Sequence, residues 1–217
     1  MATSAEAPPR RRRGPLLPGV WADPDDERLM TVATGVTAVR TVVAVALAGV
    51  AASQHSLGWL VASLVVYWVG DVLDGWVARR LGCETRTGAV LDILSDRLCA
   101  ASFYGGLMWL DPTLAPAVLL YLGQFMVLDC LLSMAFLGWP LRSPNYFYVV
   151  DRPLWLWNWS LPGKAANSSL FAVLLLATGW VSLGVAVALA LTALKVGSLV
   201  RLGRLGVPIP ALPDQLR

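Results

Sequence analysis

Residues 71–97 read Asp71-Val-Leu-Asp74-Gly75-Trp-Val-Ala78-Arg79, then eight residues, then Gly88-Ala-Val-Leu-Asp92-Ile-Leu-Ser-Asp96-Arg97. The stretch joins two apolar runs, Leu57 to Val72 and Ile93 to Leu110, so four carboxylates sit where hydrophobic helices end. On a helix, residues three or four apart are neighbours, which puts Asp71 with Asp74 on one face and Asp92 with Asp96 on another. If the two helices pack side by side, all four carboxylates converge.

The rest of the chain has the composition of a membrane protein. It is 57% hydrophobic and 14% charged, against roughly 25% charged in a soluble domain. Its 10 tryptophans suit the membrane interface. Apolar stretches near the roughly 20 residues needed to span run from Leu29 to Ala52, Leu57 to Val72, Ile93 to Leu110, Leu114 to Leu137, Ala165 to Trp180 and Val181 to Leu202. The expectation is an all-α polytopic membrane protein with about six transmembrane helices. The second and fifth runs are short, so their helices should continue into polar flanks.

Lysine and arginine collect in cytoplasmic loops. Arg10 to Arg13, Arg79, Arg80, Arg86, Arg142, Arg152, Lys164, Arg201 and Arg204 all fall on one side of the six-span layout. The opposite links, Ser53 to Ser56, Asp111 to Thr113 and Thr178 to Ser182, have neither residue. Both termini and the aspartate-bearing ends should therefore be cytoplasmic in a multi-pass protein of the cell membrane. Residues 1–24, rich in Pro, Ala and Arg, read as a disordered basic arm suited to anionic lipid head groups rather than nucleic acid. Residues 25–205 form the membrane domain and 206–217 a tail. Cys83, Cys99 and Cys130 lack metal-ligand spacing and serve as apolar fillers, and His55 reads as solvated.

Four negative charges at the edge of hydrocarbon are costly without cations to offset them. Carboxylates are hard ligands, favouring Mg2+, or alternatively Mn2+ or Ca2+, over zinc. Two ions about 4 Å apart could clamp a phosphate in displacement.

The spacing D-x2-D-G-x2-A-R-x8-G-x3-D-x3-D resembles the signature of the CDP-alcohol phosphotransferases at every fixed position, closest in character to the glycerophosphate and cardiolipin synthase branch. The resemblance implies an enzyme that moves a phosphatidyl group from CDP-diacylglycerol to an alcohol and releases CMP, a step of phospholipid synthesis. By motif position it makes Asp71, Asp74, Asp92 and Asp96 metal ligands, with Asp96 also the base toward the acceptor hydroxyl. Gly75, Ala78 and Arg79 would receive the CDP portion, and Gly88 would let the two helices approach. Upstream, Thr34-Gly-Val-Thr37-Ala-Val-Arg40 is similar to the family segment N-x-L-T-x-x-R, with Thr37 as a cytidine contact and Thr34 in place of the usual Asn. The resemblance also implies a homodimer.

For the acceptor, Arg86, Arg142, Arg152 and Lys164 are the cytoplasmic cations available to hold a phosphate, with Arg86, Arg142 and Lys164 the candidates carried forward. Pro162-Gly163-Lys164 resembles the G-K element of the glycerophosphate and cardiolipin synthases. Relatives place an Arg before an acidic residue in the fourth span; here the pair is Leu128-Asp129, which removes one expected cation. Asp129 reads either as a polar partner between helices or as part of the acceptor pocket. Glycerol-type acceptors, glycerol 3-phosphate or phosphatidylglycerol, rank first. Alternatives are inositol phosphate, a CDP-amino-alcohol donor, or a non-enzymatic ion transporter using the carboxylates as an ion site.

Overall fold

A computed structural model describes residues 19–208 of the chain. Six long helices carry the fold: α1 (Val32–Gln54), α2 (Leu57–Arg80), α3 (Arg86–Leu110), α4 (Pro112–Gly138), α6 (residues 161–178) and α7 (Val181–Leu205). A short helix, α5 (Arg152–Asn158), lies between α4 and α6. The protein is all-α and polytopic, and the described residues contain no strand ladder, only an isolated bridge between Trp21 and Leu141. Helices α1, α2, α4 and α7 are long and apolar enough to cross a membrane by length and composition. Helix α3 carries Arg86, Asp92, Asp96 and Arg97 in its first half, and α6 is shorter and interrupted.

Local sequence explains the helix limits. Thr31 caps α1 by accepting from Thr34 N–H, and Thr85 caps α3 by accepting from Gly88 N–H. Glu27 accepts the next free donors of α3, the N–H groups of Arg86 and Thr87. Polar residues therefore extend α2 past its apolar run to Arg80 and start α3 at Arg86, well before Ile93. Gly179, at φ 61°, ends α6 in the left-handed conformation that glycine tolerates best.

Packing follows side-chain size. The buried stripe of α1 is Ala33, Thr37, Arg40, Ala44, Ala48 and Ala51; apart from Arg40 these are small residues that let α2 and α3 approach closely. Ser63 of α2 donates to the Ala44 carbonyl across this contact at 2.7 Å. In the other half, α4 packs on α7. Tyr121 of α4 stacks on Phe171 of α6 with ring centroids 4.2 Å apart. A separate apolar cluster closes the end where α2 meets α3; it includes Val20, Ile93, Phe136, Phe147, Leu154 and Leu202.

The first described residues, which fall within the expected 1–24 arm, pack against that cluster. Val20 is buried, Ala22 N–H donates to the Pro140 carbonyl, and Val20 carbonyl accepts from Arg142 N–H. Residues 20–22 thus pack against the folded body. Arg10 to Arg13 and residues 209–217 of the tail lie outside the described residues.

Candidate active site

Asp74 lies six residues before the end of α2, and Asp92 six residues after the start of α3. At 1.5 Å rise per residue both sit about 9 Å inside their helix ends, at matching depth. Antiparallel packing therefore brings the two pairs face to face. Asp71, Asp74 and Asp92 each offer a carboxylate oxygen within 4.8 Å of the others. Asp96, one turn deeper, lies outside this tightest group and joins it through Arg40, whose Nη2 is 3.0 Å from Asp96 Oδ1.

All four aspartates line one cavity of about 520 Å³, a size usual for small-molecule sites. Its lining also includes the polar residues Thr34, Thr37, Arg79 and Lys164 and the aromatic residues Tyr67, Trp68 and Phe125. A molecule with a charged head and an apolar body matches such a wall. The donor set fits a divalent hard cation: the close group is oxygen only, and the four carboxylates against Arg40 leave a formal surplus of three negative charges.

Comparison with known proteins agrees with this geometry. Residues 30–199 match the CDP-alcohol phosphatidyltransferase family. The chain belongs to that family. It is 41% identical over 71 residues to a protein of Mycobacterium tuberculosis named as a cardiolipin synthase, covering 33% of this chain and 34% of that one. It is 43% identical over 56 residues to a phosphatidylinositol phosphate synthase of Mycobacterium marinum, 24% of each chain. With the phosphatidylinositol phosphate synthase of Mycolicibacterium smegmatis, identity is 39% over 84 residues, 36% of this chain and 38% of that one. The chain thus spans about a third of the length of the curated relatives it matches. No solved structure matches.

Within this phosphatidyltransferase fold the other expected residues fall into two groups. Thr37, Gly75, Ala78, Arg79, Gly88 and Lys164 line the cavity. Thr37 hydroxyl donates to Asp74 Oδ2 at 2.8 Å, so it also holds a carboxylate. A Cβ on Gly75 would lie 3.2 Å from Arg79 Nη1, so the bare backbone at Gly75 seats the Arg79 guanidinium. A Cβ on Gly88 would meet the capping hydroxyl of Thr85 at 2.9 Å, so this glycine protects the start of α3.

Arg86 and Arg142 do not line the cavity. Arg86 donates from Nη2 to the Leu137 carbonyl, and Arg142 donates to the Trp21 carbonyl and pairs with Asp26 at 3.1 Å. Both arginines hold loops together, leaving Lys164 as the cavity-lining member of the proposed acceptor set.

The cation missing beside Asp129 is supplied by other helices. Asp129 pairs with Arg97 of α3 and Lys195 of α7, each at 2.6 Å. Lys195 Nζ also donates to Asn158 Oδ1, and Asn158 Nδ2 donates to Ser198. Arg97 and Asp129 line the cavity beside Asp96. A wide π turn at Gln124–Asp129 carries Asp129, and a second at Ala165–Ser169 exposes the Asn167 carbonyl, which accepts from Tyr121 hydroxyl at 3.1 Å. Such turns often mark functional positions.

The segment after α4 forms another wall. Glu84, in the turn between α2 and α3, accepts from Ser143 hydroxyl and from Tyr146 hydroxyl at 2.6 Å. Burial and this bond push the Tyr146 hydroxyl well above its ordinary pKa, keeping it a donor. Asp151 caps α5 by accepting from Leu154 N–H and receives Arg201 on both oxygens. Burial alone would raise the Asp151 carboxyl; the Arg201 and Leu154 hydrogen bonds outweigh it and hold the group below the usual carboxylate range.

Proposed function

We propose that the chain transfers a phosphatidyl group from CDP-diacylglycerol to a glycerol-type alcohol and releases CMP. The observation carrying this reading is that Asp71, Asp74, Asp92 and Asp96 line one cavity, three of them with oxygens within 4.8 Å of one another, together with both charged and aromatic side chains. Mg2+ is the proposed ion, Mn2+ a substitute, and two ions fit the charge surplus. Asp71, Asp74 and Asp92 would hold them. When bound, divalent cations supply charge neutralisation at the phosphate oxygens.

The residues do the rest by position. Asp96 has one oxygen on Arg40 and no hydrogen-bond partner on the other among the described residues. That free oxygen takes the proton of the acceptor hydroxyl as the acceptor oxygen bonds to the lipid-side phosphorus and the bond to the CMP oxygen breaks. Arg79 forks onto phosphate oxygens, and Thr34 and Thr37 edge the nucleotide end. Positioning and electrostatics are the main terms in such a transfer, and no covalent enzyme intermediate is required.

Arg97 and Lys195 against the single Asp129 leave one surplus positive charge behind the cavity wall next to Asp96, and Lys164 adds a second at its rim. This favours an anionic acceptor, glycerol 3-phosphate or phosphatidylglycerol. The names of the mycobacterial relatives make inositol phosphate the alternative to test beside them. The charge layout supports six spans in the cell membrane with both termini and the aspartates on the cytoplasmic side, and family resemblance supports a homodimer.

Purified protein with CDP-diacylglycerol, Mg2+ and a panel of acceptors tests the reading through CMP release. Glycerol 3-phosphate or phosphatidylglycerol should support release, and Asp96→Asn should reduce it by about 10²–10⁴-fold, the usual range for a general base. Ion flux in vesicles without CMP from any acceptor would remove the enzyme reading in favour of a transporter.

A further inference from the structure

Arg40 reaches from α1 into the group of carboxylates with a side chain only 3% exposed. Its Nε donates to Asp74 Oδ2 at 2.7 Å, and its Nη2 donates to Asp92 Oδ1 and Asp96 Oδ1. One guanidinium from α1 thereby grips carboxylates of both α2 and α3. On each of these three aspartates it takes one oxygen. The second oxygens, and both of Asp71, have no hydrogen-bond partner among the described residues.

The stem of Arg40 is held as firmly as its head. A Cβ on Gly70 of α2 would lie 2.6 Å from both Cβ and Cδ of Arg40, closer than side chains approach. Gly70 is thus a notch through which the arginine passes, and Tyr67 stands 5.7 Å from the guanidinium carbon. The guanidinium has no open route to solvent. It leaves one oxygen of each of Asp74, Asp92 and Asp96 without a hydrogen-bond partner among the described residues.

We infer that Arg40, admitted by Gly70, is a positioning residue: it holds one oxygen each of Asp74, Asp92 and Asp96 so that their other oxygens stay converged for a divalent cation. This rests on the reading above, that the aspartates bind metal. A bare counter-ion would compete with metal, whereas a residue that fixes one oxygen of each aspartate and leaves the other free assists it. The two roles predict opposite signs when the residue is changed. Partners behind metal ligands commonly contribute 10–100-fold to affinity.

Mn2+ binding by paramagnetic resonance, on protein in detergent without lipid substrate, distinguishes them. Arg40→Lys keeps the charge and loses the fork that spans two helices; Arg40→Met loses both. Both should bind Mn2+ about 10–100-fold more weakly than the unaltered chain, and Gly70→Ala should move affinity in the same direction. Unaltered or tighter Mn2+ binding in folded Arg40→Lys or Arg40→Met overturns the inference. The metal-free melting temperature is read alongside: a drop in melting with affinity unchanged in the folded fraction marks a purely structural residue and also overturns it. If the unaltered chain binds no Mn2+, the metal reading itself falls, which is a separate failure.

Discussion

Replacing Asp129 by Asn tests how the second half of the bundle is held. Asp129 has a 13% exposed side chain and lies 2.6 Å from both Arg97 Nη2 and Lys195 Nζ, which are 11% and 1% exposed. At an effective dielectric near 20, a unit pair with charges about 4 Å apart is worth roughly 4 kcal/mol before desolvation is set against it. Removing one partner of a buried pair costs about 3–5 kcal/mol, because the other charge stays buried. In Asp129→Asn two cations lose their counter-charge at once, so the unfolding equilibrium should move by about two to four powers of ten at 1.4 kcal/mol per tenfold. Tryptophan fluorescence during a denaturing-detergent titration reads the shift. Adding Lys195→Met should restore part of the loss, a coupling of about 0.5–3 kcal/mol. A titration curve for Asp129→Asn that overlies the unaltered chain, or strict additivity in the double variant, would refute the view that these three charges form one unit.

Gly163→Ala should disturb the α5–α6 junction, since a Cβ there would sit 2.7 Å from the Leu156 carbonyl oxygen and 3.0 Å from the Trp157 backbone. Neither neighbour can rotate away, so the cost should be about 1–3 kcal/mol by the same titration, with Gly163→Ser no better. Asp151→Ala should lower stability at pH 7 by about 1 kcal/mol through loss of the α5 cap. Because the folded carboxyl lies below its usual value, this advantage is present above about pH 3.9 and fades as pH falls through the lowered folded value. Melting the pair of proteins from pH 7 to pH 3 should show the gap close on the acid side alone.

Much of the site was legible because its residues are close in sequence. Asp71 to Asp96 share two consecutive helices, and the i,i+3 and i,i+4 spacings fixed their faces before any packing was known. The six apolar runs each correspond to a long helix for the same reason. What escaped the sequence depends on partners far apart along the chain. Arg40 could be suspected as a charge within a span, yet its grip on Asp92 needs the notch at Gly70 to be visible. Lys195 was hidden in an apolar run, 66 positions from Asp129 by number, and only folding makes them a pair. The charge and location of Arg86 and Arg142 carry no information about the carbonyls that occupy them. The wide turns of α4 and α6 have no periodic signature at all.

The contact between Glu27 and the first N–H groups of α3 has a consequence for biosynthesis. Chains emerge from the ribosome amino-end first, so Glu27 leaves some 60 positions ahead of the groups it will cap. The leading segment therefore waits until the third helix is made. All four aspartates and Arg40 are by then synthesised, while α4 to α7 are still to come. The half that carries the four aspartates can assemble as a three-helix unit, and the later helices close around a centre already in place.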